Sequence, residues 1–224
     1  MIGKQNVFWG SVSPLGGLVG IGLLIMASGR LAWAVSVSLA LLCIYVFSVT
    51  AFAFLSSPIC GKFFPRWGRV HIFTCICYLF GSVYILISWL ISPLAIMEVF
   101  FLILLVPLFC AGSGAFSRCL ALWEKYHVDL PDSFLREASL TAAKEAAVLA
   151  LLIILVSLIR EPLAFYSLSL PSPSNGIVTI FSFRDGAVLP IRIFAGSAGA
   201  LLLLGYLICL YRYYKNKYYP GDME

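Results

Sequence analysis

Six long apolar stretches alternate with short segments that hold nearly all of the charge. The stretches run over about 11–29, 31–57, 69–91, 93–116, 138–159 and 188–211. An α-helix needs about 20 mainly apolar residues to cross a bilayer, and each stretch comes close to that length or exceeds it. The pattern predicts an all-α polytopic membrane protein, with about six transmembrane helices in a single domain over 1–224. Its halves, 1–92 and 93–224, carry three spans each. The breaks at Gly29-Arg30 and Ser92-Pro93 are tight. The longer connection, 160–187, mixes large apolar residues with Ser, Pro and Gly turn signals. It is expected on the membrane surface or against a partner subunit.

Composition strengthens this picture. The chain is 62% hydrophobic, with mean hydropathy +1.00, and only 11% of its residues are charged. An ordinary soluble domain has roughly 25% charged residues, because it must cover its surface with polar groups. A bilayer removes that requirement. The first thirty residues have one early Lys and a later apolar run, but Pro14 and several glycines interrupt it. They are read as the first membrane element rather than as a cleavable signal.

Lys and Arg favour the cytoplasmic side of membrane proteins. Lys4, the group Lys62, Arg66 and Arg69, the group Arg118, Lys125 and Arg136, and the group Arg212, Lys215 and Lys217 share one side only if the number of spans is even. Six spans with both termini cytoplasmic satisfy the rule. Arg30, Arg160 and Arg184 are the exceptions. Tyr211, Tyr213, Tyr214, Tyr218 and Tyr219 beside the last basic residues form an aromatic anchor at the headgroups. The lipid bilayer is thus the first partner, and no nucleic acid is expected.

Two segments share an irregular design. Residues 11–22, SVSPLGGLVGIG, and 104–116, LLVPLFCAGSGAF, each have a proline, then Leu, then spaced glycines. Proline removes a backbone donor and glycine weakens the helix. Paired weak points at 13–17 and 107–114 are what an inverted three-helix repeat with broken helices would show. The alternative is close helix packing through small residues.

Charged residues near the spans are the remaining polar candidates. Glu98 lies early in the fourth span, either at the headgroups or facing a polar interior. Lys144 and Glu145 open the fifth span beside the cytoplasmic interface. Arg160 and Glu161 close it, with Arg160 able to snorkel and Glu161 able to neutralise it. Arg192 lies at the start of the sixth span and is expected to face protein or headgroups. The seven cysteines mostly sit in apolar runs and read as small buried hydrophobes. Cys75 and Cys77, two apart on a helix, point to different faces.

No phosphate-binding glycine loop is present, and His71 and His127 are the only histidines. Self-contained soluble-substrate catalysis is therefore not expected. A subunit of a membrane electron-transfer or ion-pumping complex, a small transporter or permease, and a structural membrane subunit remain.

The segments WGSVSPLGGLVGIG, LLVPLFCAGSGAFSR, SLIREPLAFYSLSLP and LPIRIFAGSAGALLLLGYLI carry a resemblance. The chain resembles the RnfE/NqrD group, membrane subunits of the Rnf and Na⁺-translocating NADH:quinone reductase complexes. The resemblance implies six helices in two inverted halves and a homologous sister subunit of opposite orientation, within a larger electron-transport complex. It also implies an iron or [2Fe-2S] centre at mid-membrane, with two cysteines from each subunit. The sequence departs from that pattern. Ser13 stands where the first cysteine is expected, Pro107 aligns with the second, and Cys110 lies one helical turn further on. Ser13 and Cys110 are accordingly the cofactor-binding candidates, and serine is a far poorer iron ligand than a thiolate.

The charge distribution gives a topological prediction. Reporter fusions after Pro65 and after Asp132 report the cytoplasm, and one after Asn175 reports the outside. An outside signal after Pro65 would overturn the six-span orientation.

Overall fold

Prolines, glycines and one left-handed residue set the helix ends. A computed structural model of the chain describes residues 14–56, 66–113, 132–172, 176–182 and 191–218. Helix α1 spans Pro14–Ala27, α2 Leu31–Ser56, α3 Arg66–Ile91, α4 Pro93–Ala111, α5 Asp132–Phe165 and α6 Ser197–Tyr218. An antiparallel hairpin of β1, Ser167–Ser172, and β2, Gly176–Ser182, follows α5. A single 3-10 turn, Arg192–Phe194, precedes α6.

Proline at the first helical position has no orphan N–H to satisfy, which suits the starts of α1 and α4. Ser92 breaks α3 from α4 in an extended conformation, φ −148° and ψ 80°, as expected of a residue before proline. Helix α4 continues through Pro107 and stops at Gly112, whose N–H bonds back to Leu108 and Phe109 carbonyls at 3.3 and 3.1 Å. The second expected weak point is thus a helix end. The first falls at the start of α1, and Ser13 lies outside the described residues. Helix α5 ends at Tyr166, which takes φ 50°. That left-handed conformation is uncommon for a bulky residue and turns the chain into the hairpin.

This is an all-α membrane architecture. Among the described residues, four helices contain segments long and apolar enough to cross a bilayer, Leu31–Phe52, His71–Ile91, Arg136–Phe165 and Ser197–Tyr214, and two shorter apolar helices join them. The outward faces are apolar as well: Leu18, Phe54, Leu90, Met97 and Phe101 are all more than 70% exposed. Such a surface is solvated by lipid chains, not by water.

Helix α2 is the centre of the bundle and packs most extensively along α5, with α3 and α4 against its other faces. The α5 face is small: Ala138, Ala142, Ala146 and Ala150 recur every fourth residue, all buried. Small residues at that spacing let two backbones approach closely. Three bonds fix the antiparallel register, from Leu31 N–H to Glu161, from Ser38 Oγ to the Ala150 carbonyl, and from Tyr45 Oη to Glu145. Helix α1 packs on α4. Gly20 makes the α1–α4 approach possible, since a Cβ there would lie 3.1 Å from the Phe109 ring.

Two segments differ from the sequence expectation. The 160–187 connection contains the hairpin: Leu168 and Leu170 alternate with serines along β1, and β2 is rich in the β-branched residues Ile177, Val178, Thr179 and Ile180. Helix α6 begins at Ser197, not near 188, because the 3-10 turn folds back over Gly199. A Cβ at Gly199 would sit 2.4 Å from the Phe194 Cα and 2.5 Å from the Ile193 carbonyl oxygen, both backbone atoms. Gly205, on the same helix, has nothing within 4 Å of such a Cβ.

Gly199→Ala therefore destabilises the protein by about 1–3 kcal/mol, the usual cost of overpacking, while Gly205→Ala is neutral or slightly stabilising. Thermal unfolding of both variants in one detergent checks this. Equal midpoints would mean that the turn before α6 is not held against the helix.

Candidate functional site

The C-terminal turns of α5 put two charged residues inside the protein. Arg160 is 4% exposed and Glu161 only 1%. They do not neutralise each other directly, because successive helical residues diverge by about 100°. Each is satisfied by a different set of backbone and hydroxyl groups.

Arg160 uses all five of its N–H donors. Nε donates to the Phe194 carbonyl at 2.6 Å. Nη1 donates to the Ile25 carbonyl at 2.8 Å and to Ser28 Oγ at 3.0 Å. Nη2 donates to the Ala195 and Gly196 carbonyls at 2.9 and 3.0 Å. The guanidinium therefore sits on the last turn of α1, where unpaired carbonyls make the helix end negative. It also ties down the turn that leads into α6. It is buried, where snorkelling was expected.

Glu161 does the complementary task. Its Oε2 accepts the Leu31 N–H at 2.7 Å, at the first turn of α2, and its Oε1 accepts the Ser169 hydroxyl at 2.6 Å on β1. The positive N-terminal end of α2 meets a carboxylate. The pair thus clamps both sides of the Ser28–Arg30 turn, cation on the closing helix and anion on the opening one. Arg30 itself lies outside the clamp, stacked 5.5 Å from Trp33 and 6.0 Å from Phe165. Near it Glu98 is exposed and accepts the Trp33 Nε1–H at 2.8 Å. Arg192 stands in the 3-10 turn before α6.

A second polar group lies deeper. Glu145 is 6% exposed and its Oε2 accepts the Tyr45 hydroxyl at 2.7 Å. Tyr45 is about 21 Å along α2 from Leu31 by helical rise, well inside the span. Ser113, just beyond α4, lies close to Tyr45, and the Phe109 ring meets the tyrosine edge-on at 6.1 Å. Sequence reasoning placed Glu145 at the interface with Lys144. The structure separates them: Lys144 is exposed and Glu145 faces the bundle. The signal was the spacing, since Glu145 falls next to Ala146 and one turn from Ala142 on the small-residue face.

Cys110 is fully buried beside the same centre, with the buried thiol of Cys77 of α3 as its neighbour. Cys75 is exposed and Cys77 buried, as the different-face reading of that pair requires. Cys77 is thus a second thiol that the sequence did not connect to Cys110. Two thiols are half of the four ligands of an iron–sulfur cluster, so a second subunit would have to supply the rest. Among the described residues no group of three or more His, Cys, Asp or Glu side chains could hold a metal ion. Both cysteines are fully buried within this chain, so neither presents its sulfur at the surface. The described donors do not by themselves complete the expected iron centre, whose other candidate, Ser13, lies outside the described residues. No protein-family model and no curated protein matches the chain.

Arg160→Leu leaves at least four carbonyls without their donor, and hydrogen bonds to a charged group are worth about 1.5–3 kcal/mol each before relaxation. The expected loss is about 3 kcal/mol or more, read as a lowered unfolding midpoint. Arg160→Lys recovers little of it, because an ammonium cannot span five acceptors in a plane. Full recovery by lysine would reduce the clamp to simple charge.

Proposed function

We propose that this chain is a membrane subunit of an ion-translocating electron-transport complex of the Rnf/Nqr kind, serving the ion path rather than carrying the electron. The electron-transport setting and the sister subunit rest on the resemblance of the four segments quoted above. The ion role rests on one observation: a carboxylate, Glu145, buried between two spanning helices and hydrogen-bonded to Tyr45. Ionisable groups inside a membrane are costly and characteristically mark ion or proton paths. The sealed Cys77–Cys110 pair supports the same division of labour, because it offers no surface at which a shared cluster would sit. Cytoplasmic termini in a bacterial inner membrane complete the reading.

A small transporter acting alone is the competing reading. The fact that Tyr45 and Glu145 come from one chain favours it. Mild-detergent purification separates the two: the complex brings other membrane proteins with it, the transporter does not. In vesicles containing the complex, donor-driven uptake of Na⁺ and of protons is then measured. Glu145→Gln lowers uptake at least tenfold, with the exposed Glu137→Gln as control. Unchanged uptake in Glu145→Gln removes the ion role. Stoichiometric iron that vanishes with Cys110→Ser would return the electron-carrier role to this chain.

A further inference from the structure

A cavity of about 630 Å³ opens between α2 and α3 on the side of the bundle away from α5. Leu39 and Cys43 of α2 form one wall, and Val83 and Ile87 of α3 the other. The deep end is closed by Phe47 and Phe80, whose rings stack with centroids 6.1 Å apart. The shallow end is ringed by the hydroxyl residues Ser36, Ser88 and Ser92 and roofed by Pro171 of the hairpin. No charged side chain lines it.

Its dimensions select an occupant. Ser36 and Phe47 are about 16 Å apart along α2 by helical rise, roughly half of a ~30 Å hydrocarbon core. Spreading about 630 Å³ over that length leaves a cross-section of about 40 Å². A helix about 10 Å across needs about 80 Å², so the cavity is too narrow for one. Leu39 is 52% exposed, Val83 45% and Ile87 50%. The flank is therefore open sideways to the bilayer, and entry is lateral.

We propose that this cavity is a binding site for one acyl chain of a phospholipid from the leaflet on the hairpin side. The methyl end lies against the Phe47–Phe80 pair and the glycerol end reaches the serine hydroxyls. Apolar walls with a few polar groups at one end are the usual form of a ligand pocket. Here the polar end stands at the hairpin end of the bundle, where a headgroup belongs. The uncharged lining takes the chain and leaves the headgroup outside. The proposal is independent of the electron-transport reading, since it needs neither a partner nor a cofactor.

The test uses the full chain in nanodiscs with phospholipids bearing a photoactivatable diazirine, either at the acyl terminus or near the ester. Cross-links are mapped by peptide mass spectrometry. The terminal label is expected on Phe47 and Phe80 and the ester-proximal label on Ser88 and Ser92, each several-fold denser than on the open lipid face at Met97 and Phe101. Val83→Trp fills the cavity and is expected to lower the labelling of Phe47 at least fivefold, with Met97 unchanged. Cys43→Trp, on the opposite wall, makes the same test if the first variant does not fold. Labelling at Phe47 no denser than at Met97, or equal labelling in both filled variants, would overturn the proposal. Protection of the cavity by a co-purifying protein would overturn it too, by giving the space to a partner.

Discussion

Two adjacent charges cannot be buried in a membrane protein unless something nearby answers each of them, and here the answer is two helix ends. Arg160 lies on the carbonyl end of α1 and Glu161 on the amide end of α2. Charge, hydrogen bonding and helix dipole all have the same sign at each contact. An isolated buried ion is expensive. A buried ion that replaces water at several unpaired backbone groups offsets its own desolvation and theirs together. The turn between α1 and α2, the entry to α6 and the first strand of the hairpin all take their positions from this pair.

Once that end is fixed, the rest of the α2–α5 contact follows from side-chain size. The alanine face of α5 brings its backbone close to α2, near enough for Ser38 to reach the Ala150 carbonyl at 3.3 Å. The same close register carries Tyr45 to Glu145. The clamp and the deep carboxylate are therefore also joined through α1. Gly20 seats the Phe109 ring, Phe109 packs on Tyr45, and Arg160 holds the far end of α1. This is a contiguous set of contacts, and a shift of α1 at the clamp would be felt at the tyrosine.

The six helices were legible in the sequence because apolar runs of span length have few other uses. Their ends were legible at the tight breaks Gly29-Arg30 and Ser92-Pro93, whereas Pro14 and Gly112 were read as weak points inside spans over 11–29 and 93–116 and are helix ends in the structure. The ends of α5 and the start of α6 were not legible, because an apolar run marks membrane depth and a helix can continue past it. Arg160 and Glu161 stood out as charges beside an apolar run. Their roles did not, since Ile25, Leu31, Phe194 and Ser169 are brought to them only by the fold. Glu145 looked like half of a surface pair with Lys144. Only the four-residue alanine spacing around it hinted at a buried face. Cys77 had no sequence relation to Cys110 at all, because helix pairing alone makes them neighbours.

The two kinds of polar chemistry inside this bundle differ in what they are able to do. The Arg160 and Glu161 contacts go largely to backbone groups that cannot move without unwinding a helix, so they hold position. Tyr45 and Glu145 meet side chain to side chain, and side chains can change rotamer or proton without disturbing the helices that carry them. A thiol pair buried among apolar walls has neither a third ligand among the described residues nor a route to the surface. Of the chemically active groups inside the bundle, the carboxylate with its phenol is the one whose exchange of a proton or an ion leaves the scaffold intact. That difference is the physical ground for the proposal that this chain serves an ion path.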